Sequence, residues 1–101
     1  MNSIEINISN YATNNNIYIN IKRNTIIINN ETKQIEQEKI NELLRIIRTW
    51  KNNNNVQSKI IDAEKYIIKI NTNTETEIIE GYGHLEKNYN LFKTWIGKIN
   101  D

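Results

Sequence analysis

Apolar and polar residues alternate at the start of the chain. Ile4, Ile6 and Ile8 are separated by Glu5 and Asn7, and after an Asn-rich interval Ile17, Ile19 and Ile21 are separated by Tyr18 and Asn20. A period of two sends alternate side chains to opposite faces of an extended chain, so the two runs predict half-buried strands joined as a hairpin. Arg23-Asn24 suits a tight turn into Thr25-Ile26-Ile27-Ile28, a β-branched run that predicts a third strand stopped by Asn29-Asn30. Residues 32–35 are expected to add a short fourth.

At Gln37 the period changes. Ile40, Leu43, Leu44, Ile47 and Trp50 recur at the spacing of one helical stripe. Ile35 and Ile40 take the two positions of a hydrophobic staple if Glu36 caps the helix. Glu38, Asn41, Glu42, Arg45 and Arg48 fall on the other side, acids early and bases late, in keeping with the helix dipole. The Asn52-Asn53-Asn54-Asn55 tract is expected to end this helix. Strand signals resume at Lys59-Ile60-Ile61 with a turn at Asp62-Ala63-Glu64, and Tyr66, Ile68 and Ile70 share a face of the next run. After a polar turn, residues 75–80 predict a charge-studded strand of the kind that guards a sheet edge. Gly81-Tyr82-Gly83 is expected to break it, with glycine at positive φ. Tyr89, Phe92, Trp95, Ile96 and Ile99 then predict a second helix from about Asn88.

No long crossover separates neighbouring strands within either set, so hairpins are favoured over βαβ units. The expected fold is α+β: an antiparallel sheet of about five to seven short strands covered by two amphipathic helices, in the order β-β-β-α-β-β-β-α. A chain of 101 residues fits one compact domain spanning 1–101.

Composition narrows the chemistry. Cysteine is absent, which excludes disulfides, thiolate catalysis and cysteine-bound zinc. His84 is the only histidine, so paired-histidine metal sites and a triad needing a second imidazole are excluded too. Beside glycine in a turn, His84 reads as a surface residue rather than a base. Gly81-Tyr82-Gly83-His84 lacks the third glycine and the Lys-Ser/Thr pair of a phosphate loop. The chain is therefore expected not to be an enzyme and to use no metal or cofactor.

Thirteen Lys and Arg against twelve Asp and Glu leave a net charge of +1, too little for a global field that draws in nucleic acid or an anionic membrane. The alternating N-terminus does not resemble a signal peptide, and no apolar run approaches the roughly 20 residues of a membrane span, so a cytoplasmic location is expected. Abundant Asn and Ile suggest an AT-rich bacterial genome, or a phage or other mobile element. Asn tracts resemble low-complexity sequence, but the periodic Ile between them argues for an ordered chain.

What remains is binding. Glu75, Glu77 and Glu80 line the expected edge strand, with Glu75 and Glu77 on one face. Arg45, Arg48 and Lys51 form a partial basic stripe interrupted by Glu38 and Glu42. Tyr11, Tyr18 and Tyr82 are the aromatics expected at the surface, and exposed Tyr and Arg are favoured in protein interfaces. In size, single-domain build and missing catalytic groups the chain resembles phage-encoded anti-defence inhibitors, including anti-CRISPR proteins, and bacterial immunity proteins. That resemblance implies a binding protein that docks on and occludes a protein partner such as a nucleic-acid-handling nuclease or a toxin. Glu75, Glu77, Glu80, Tyr82, Tyr18, Arg45 and Arg48 are the candidate contact residues. Two alternatives stand beside it: a nucleic-acid module using the basic stripe, and a homo-oligomer pairing through the edge of its first or last strand.

Overall fold

The computed structural model describes residues 1–10, 12–50 and 64–100. Four strands come first: β1 (Ser3–Ser9), β2 (Asn14–Asn20), β3 (Thr25–Ile28) and β4 (Glu31–Gln34). Helix α1 (Gln37–Ile47) follows, then β5 (Lys65–Asn71) and β6 (Thr76–Tyr82). A short 3-10 turn (Gly83–Leu85) leads into helix α2 (Tyr89–Asn100). The strands form one antiparallel sheet in the order β4-β3-β2-β1-β5-β6, so the α+β architecture is the one the periodicity predicts. The short fourth strand expected at residues 32–35 is β4, at Glu31–Gln34, so four strands precede α1 where the expected element order counted three. The Lys59-Ile60-Ile61 run, the Asn52–Asn55 tract, Asp62, Ala63, Tyr11 and Lys51 lie outside the described residues.

Register follows from the isoleucines. Ile4 pairs with Ile19 on one side and Ile70 on the other, and Ile6 with Ile17 and Ile68. A slip of one residue would turn every one of these side chains to the opposite face, so burial of one face fixes the pairing. Ile26 and Ile28 extend the apolar face through β3, and Tyr66 closes it on β5. The first strand is thus the centre of the sheet and not an edge. Both helices pack on the isoleucine face, α1 through Ile40, Leu43, Ile46 and Ile47, and α2 through Phe92 and Trp95. Each such side chain contributes about 1.5–3 kcal/mol on burial.

Ile46 joins the core although the expected stripe omitted it, while Leu44 is only half-buried. The cause is that α1 packs against two neighbours, the sheet and α2, and so buries a wider arc than a single stripe. Trp50 falls just past the helix yet is buried, its ring 4.7 Å from Tyr66, 5.4 Å from Phe92 and 5.6 Å from Tyr89. Trp95 Nε1 donates to the Lys39 carbonyl at 2.9 Å, and Asn88 Nδ2 donates to Thr49 Oγ1 at 3.0 Å. The start of α2 therefore meets the end of α1, and the helices run antiparallel.

Turn chemistry is carried by asparagine. Asn29 and Asn30 have φ of 48° and 74°, the left-handed pair that a two-residue hairpin between β3 and β4 requires, and Asn24 has φ of 51°. Glu36 occupies the cap position of α1 with extended backbone and no capping side-chain bond. Gly81-Tyr82 does not break β6: both residues are in the strand, Gly81 opposite Tyr66, and no glycine among the described residues has positive φ. Gly83 is needed for a different reason, because the ring of Tyr89 lies where its side chain would be.

Candidate functional site

With the isoleucine face covered by helices, the other face of the sheet carries no helix among the described elements. Alternation decides which residues it shows. Across the middle runs the row Thr32, Ile27, Tyr18, Glu5, Lys69 and Ile78. Asn16, Asn7, Ile67 and Glu80 make the next row, followed by Asn14, Ser9, Lys65 and Tyr82. Tyr18, Ile27 and Ile78 are 38%, 36% and 48% exposed, large apolar groups at positions where the pattern of each strand is otherwise polar. A concavity of about 700 Å³ lies on the β3-β2-β1-β5 part of this face, bordered by Tyr18, Ile27, Ile67, Asn7 and Asn16.

The asparagines are tied to one another. Asn7 Nδ2 donates to Asn14 Oδ1 at 2.6 Å and to Asn16 Oδ1 at 2.7 Å, and Asn29 Nδ2 donates to Asn15 Oδ1 at 3.3 Å. These bonds use the Oδ1 atoms of Asn14 and Asn16 as acceptors and so fix which way the two amides face. At the far end, Asn71 Nδ2 donates to Ser3 Oγ at 2.9 Å and Glu5 Oε2 at 3.0 Å, while Thr76 Oγ1 donates to Asn71 Oδ1 at 2.8 Å. Asn10 Oδ1 accepts from the backbone N–H groups of Ala12 and Thr13, both at 2.8 Å, fixing the loop between β1 and β2. Two carboxylates, Glu5 and Glu80, and two ammonium groups, Lys65 and Lys69, balance across the face, with Glu5 directly opposite Lys69. Such a surface is suited to hydrogen bonding and apolar contact, without a net field.

Three of the seven candidate residues meet here: Tyr18 at the centre, and Glu80 and Tyr82 on β6 opposite Ile67 and Lys65. The acids do not form one patch. Glu77 lies on the helix side, opposite Ile70, and Glu75 precedes β6 in a turn where its carbonyl accepts from Thr72 N at 2.9 Å and Thr72 Oγ1 at 3.1 Å. Arg45 and Arg48 stand at the end of α1, remote in the fold from the open face. Sequence reading missed Asn7, Asn16, Ile27, Ile67 and Ile78. The available signal was parity: these isoleucines fall out of phase with the buried ones on their own strands.

A second polar arrangement joins the start of β5 to α2. Tyr89 Oη donates to Glu64 Oε2 at 2.8 Å, Lys93 Nζ lies 3.0 Å from Glu64 Oε1, and Tyr66 Oη donates to Glu86 Oε1 at 2.8 Å. Burial raises the pKa of Tyr89 well above that of free tyrosine, and the hydrogen bond to Glu64 and the negative charge there raise it further. This is a structural latch. His84 is exposed in the 3-10 turn with its ring 6.0 Å from that of Tyr82. Among the described residues no three His, Asp or Glu side chains gather as metal ligands, and no helix is long and apolar enough to cross a membrane. Comparison with protein-family models, curated proteins and solved structures finds no match to this chain.

Proposed function

We propose that this protein is a non-enzymatic docking protein that seats a protein partner on the open face of its sheet and occludes the surface it covers, in the manner of a small anti-defence inhibitor or immunity protein. The observation that carries the reading is the face that no described helix covers, where the Tyr18 row lies beside amides already fixed by mutual hydrogen bonds. A partly exposed tyrosine with Ile27 directly beside it on β3 is the type of anchor that dominates binding energy in interfaces. Because the surrounding side chains are held by a sheet and by one another, little ordering is left to oppose association. Balanced charge on this face favours a protein surface over a nucleic-acid backbone.

The test is an affinity capture from host lysate with tagged wild type and with the Tyr18→Arg/Ile67→Arg variant, each in nuclease-treated and untreated halves. One stoichiometric protein should be retained by the wild type in both halves and lost by the variant, whose folding is checked by circular dichroism. Recovery of nucleic acid alone, or equal retention of the same protein by the variant, refutes the reading.

A further inference from the structure

A separate surface lies on the other side of the molecule, where α1 and α2 run side by side. A groove of about 300 Å³ separates them, at the lower end of the size of ligand pockets. Its apolar lining comes from Ile46, Trp95 and Leu91, and Leu91 is 56% exposed, the most exposed of the large apolar residues described. Arg45 and Lys98 stand on its rim. Because the helices are antiparallel, Arg45 near the end of α1 and Lys98 near the end of α2 lie toward opposite ends of the groove. Neither makes an ion pair among the described residues. The carboxylate that lines the groove, Glu42, is engaged with Lys39 at 3.8 Å. Arg45 also borders a neighbouring depression with Arg48, which extends the cationic rim along α1.

We infer that this groove is a second docking site, independent of the open sheet face, for an acidic peptide segment that inserts one bulky aliphatic side chain beside Leu91. Charge complementarity selects the occupant: two cations that make no ion pair among the described residues bracket an apolar slot, against the single carboxylate of Glu42, so carboxylates on both sides of the inserted residue meet a cation each. Leu91 supplies apolar area that no element of the described fold covers, and Trp95 supplies a rigid floor, fixed by its bond to the Lys39 carbonyl at 2.9 Å. A basic or neutral peptide would leave Arg45 and Lys98 unanswered.

The probe is a short fluorescein-labelled peptide of Asp and Glu around a central Leu, titrated by fluorescence polarisation against the full chain. Saturable binding is expected, weakened about tenfold or more, equivalent to about 1.4 kcal/mol, by Arg45→Glu/Lys98→Glu. Replacing the central Leu of the peptide by Ala, or its acids by Lys, should have an effect at least as large. Tyr18→Arg should leave the titration unchanged, which separates this site from the sheet face. The inference is overturned by absence of saturable binding, by equal binding of the Leu-to-Ala peptide, or by equal binding to the charge-reversed variant with its native fold confirmed by circular dichroism.

Discussion

Replacing Gly83 by alanine tests the packing between the sheet and α2 at one atom. A Cβ placed on Gly83 meets Tyr89 Cε2 at 2.5 Å and Cε1 at 2.6 Å. That is roughly 1 Å inside the optimum separation of two carbons, so the ring must move. The ring cannot retreat freely, since its centroid is 5.6 Å from Trp50 and 5.9 Å from Phe92, and its hydroxyl is bonded to Glu64 at 2.8 Å. Overpacking of this kind costs about 1–3 kcal/mol, and losing the hydrogen bond adds about 1 kcal/mol. Because no described glycine has positive φ, the backbone itself accepts alanine, and the full loss of about 2–4 kcal/mol is charged to the ring. Urea unfolding followed by fluorescence of Trp50 and Trp95 measures it. The same substitution in a Tyr89→Leu background should cost less than about 0.5 kcal/mol, because leucine stops short of the Cε and Cζ atoms, giving a coupling energy of about 2 kcal/mol. A Gly83→Ala cost below about 0.5 kcal/mol, or an equal cost in both backgrounds, would refute the reasoning.

Further outcomes follow from other positions. Tyr89 is held protonated by burial and by Glu64, so its pKa is higher folded than unfolded; stability is intact below the free tyrosine value of about 10 and declines as pH rises above it. Urea unfolding at stepped alkaline pH should show this decline in the wild type and a shallower one in Tyr89→Phe. Asn30 holds φ of 74°, so Asn30→Val should lose about 1–2 kcal/mol while Asn30→Gly stays within about 0.5 kcal/mol, read by thermal unfolding. Ile19→Ala, at a fully buried site between Ile4 and Ile26, should cost about 2–5 kcal/mol, whereas Ile27→Ala on the open face should cost far less.

The arrangement of strands and helices was legible because isoleucine marks its own period. Ile4, Ile6, Ile8, Ile17 and Ile19 fall two apart and are buried, while Ile40, Leu43 and Ile47 fall three or four apart and are buried as well. Sheet order was not legible. Nothing in the local pattern of Ile4 to Ile8 distinguishes a central strand from an edge, because its second neighbour, β5, arrives some sixty residues later. Glycine misled for a related reason: Gly81 and Gly83 look like a strand exit, but Gly81 stands within β6 opposite Tyr66, and Gly83 makes room for Tyr89 on the following helix. The candidate surface was half legible. Tyr18 and Tyr82 were expected at the surface, Tyr82 as part of a strand break rather than within β6, yet Glu77 and Glu80, three residues apart, were grouped although an odd spacing sends them to opposite faces.

The two surfaces differ in electrostatics, and that difference predicts a different salt dependence for association at each. On the open face Glu5 lies opposite Lys69, so opposite charges cancel within a few ångströms and little field reaches beyond the surface. At the helix groove Arg45 and Lys98 make no ion pair among the described residues, and the lining's one carboxylate, Glu42, is engaged with Lys39 at 3.8 Å. Raising ionic strength from about 0.1 M to about 1 M shortens the screening length from roughly 10 Å to roughly 3 Å. Association through the Tyr18 face should therefore be nearly unchanged over that range, while association of an acidic segment with the groove should weaken steeply, mainly through a slower on-rate. Surface plasmon resonance of any captured partner across that salt range separates the two. A steep salt dependence that persists in the Arg45→Glu/Lys98→Glu variant would place the binding charge elsewhere and remove both surfaces as its explanation.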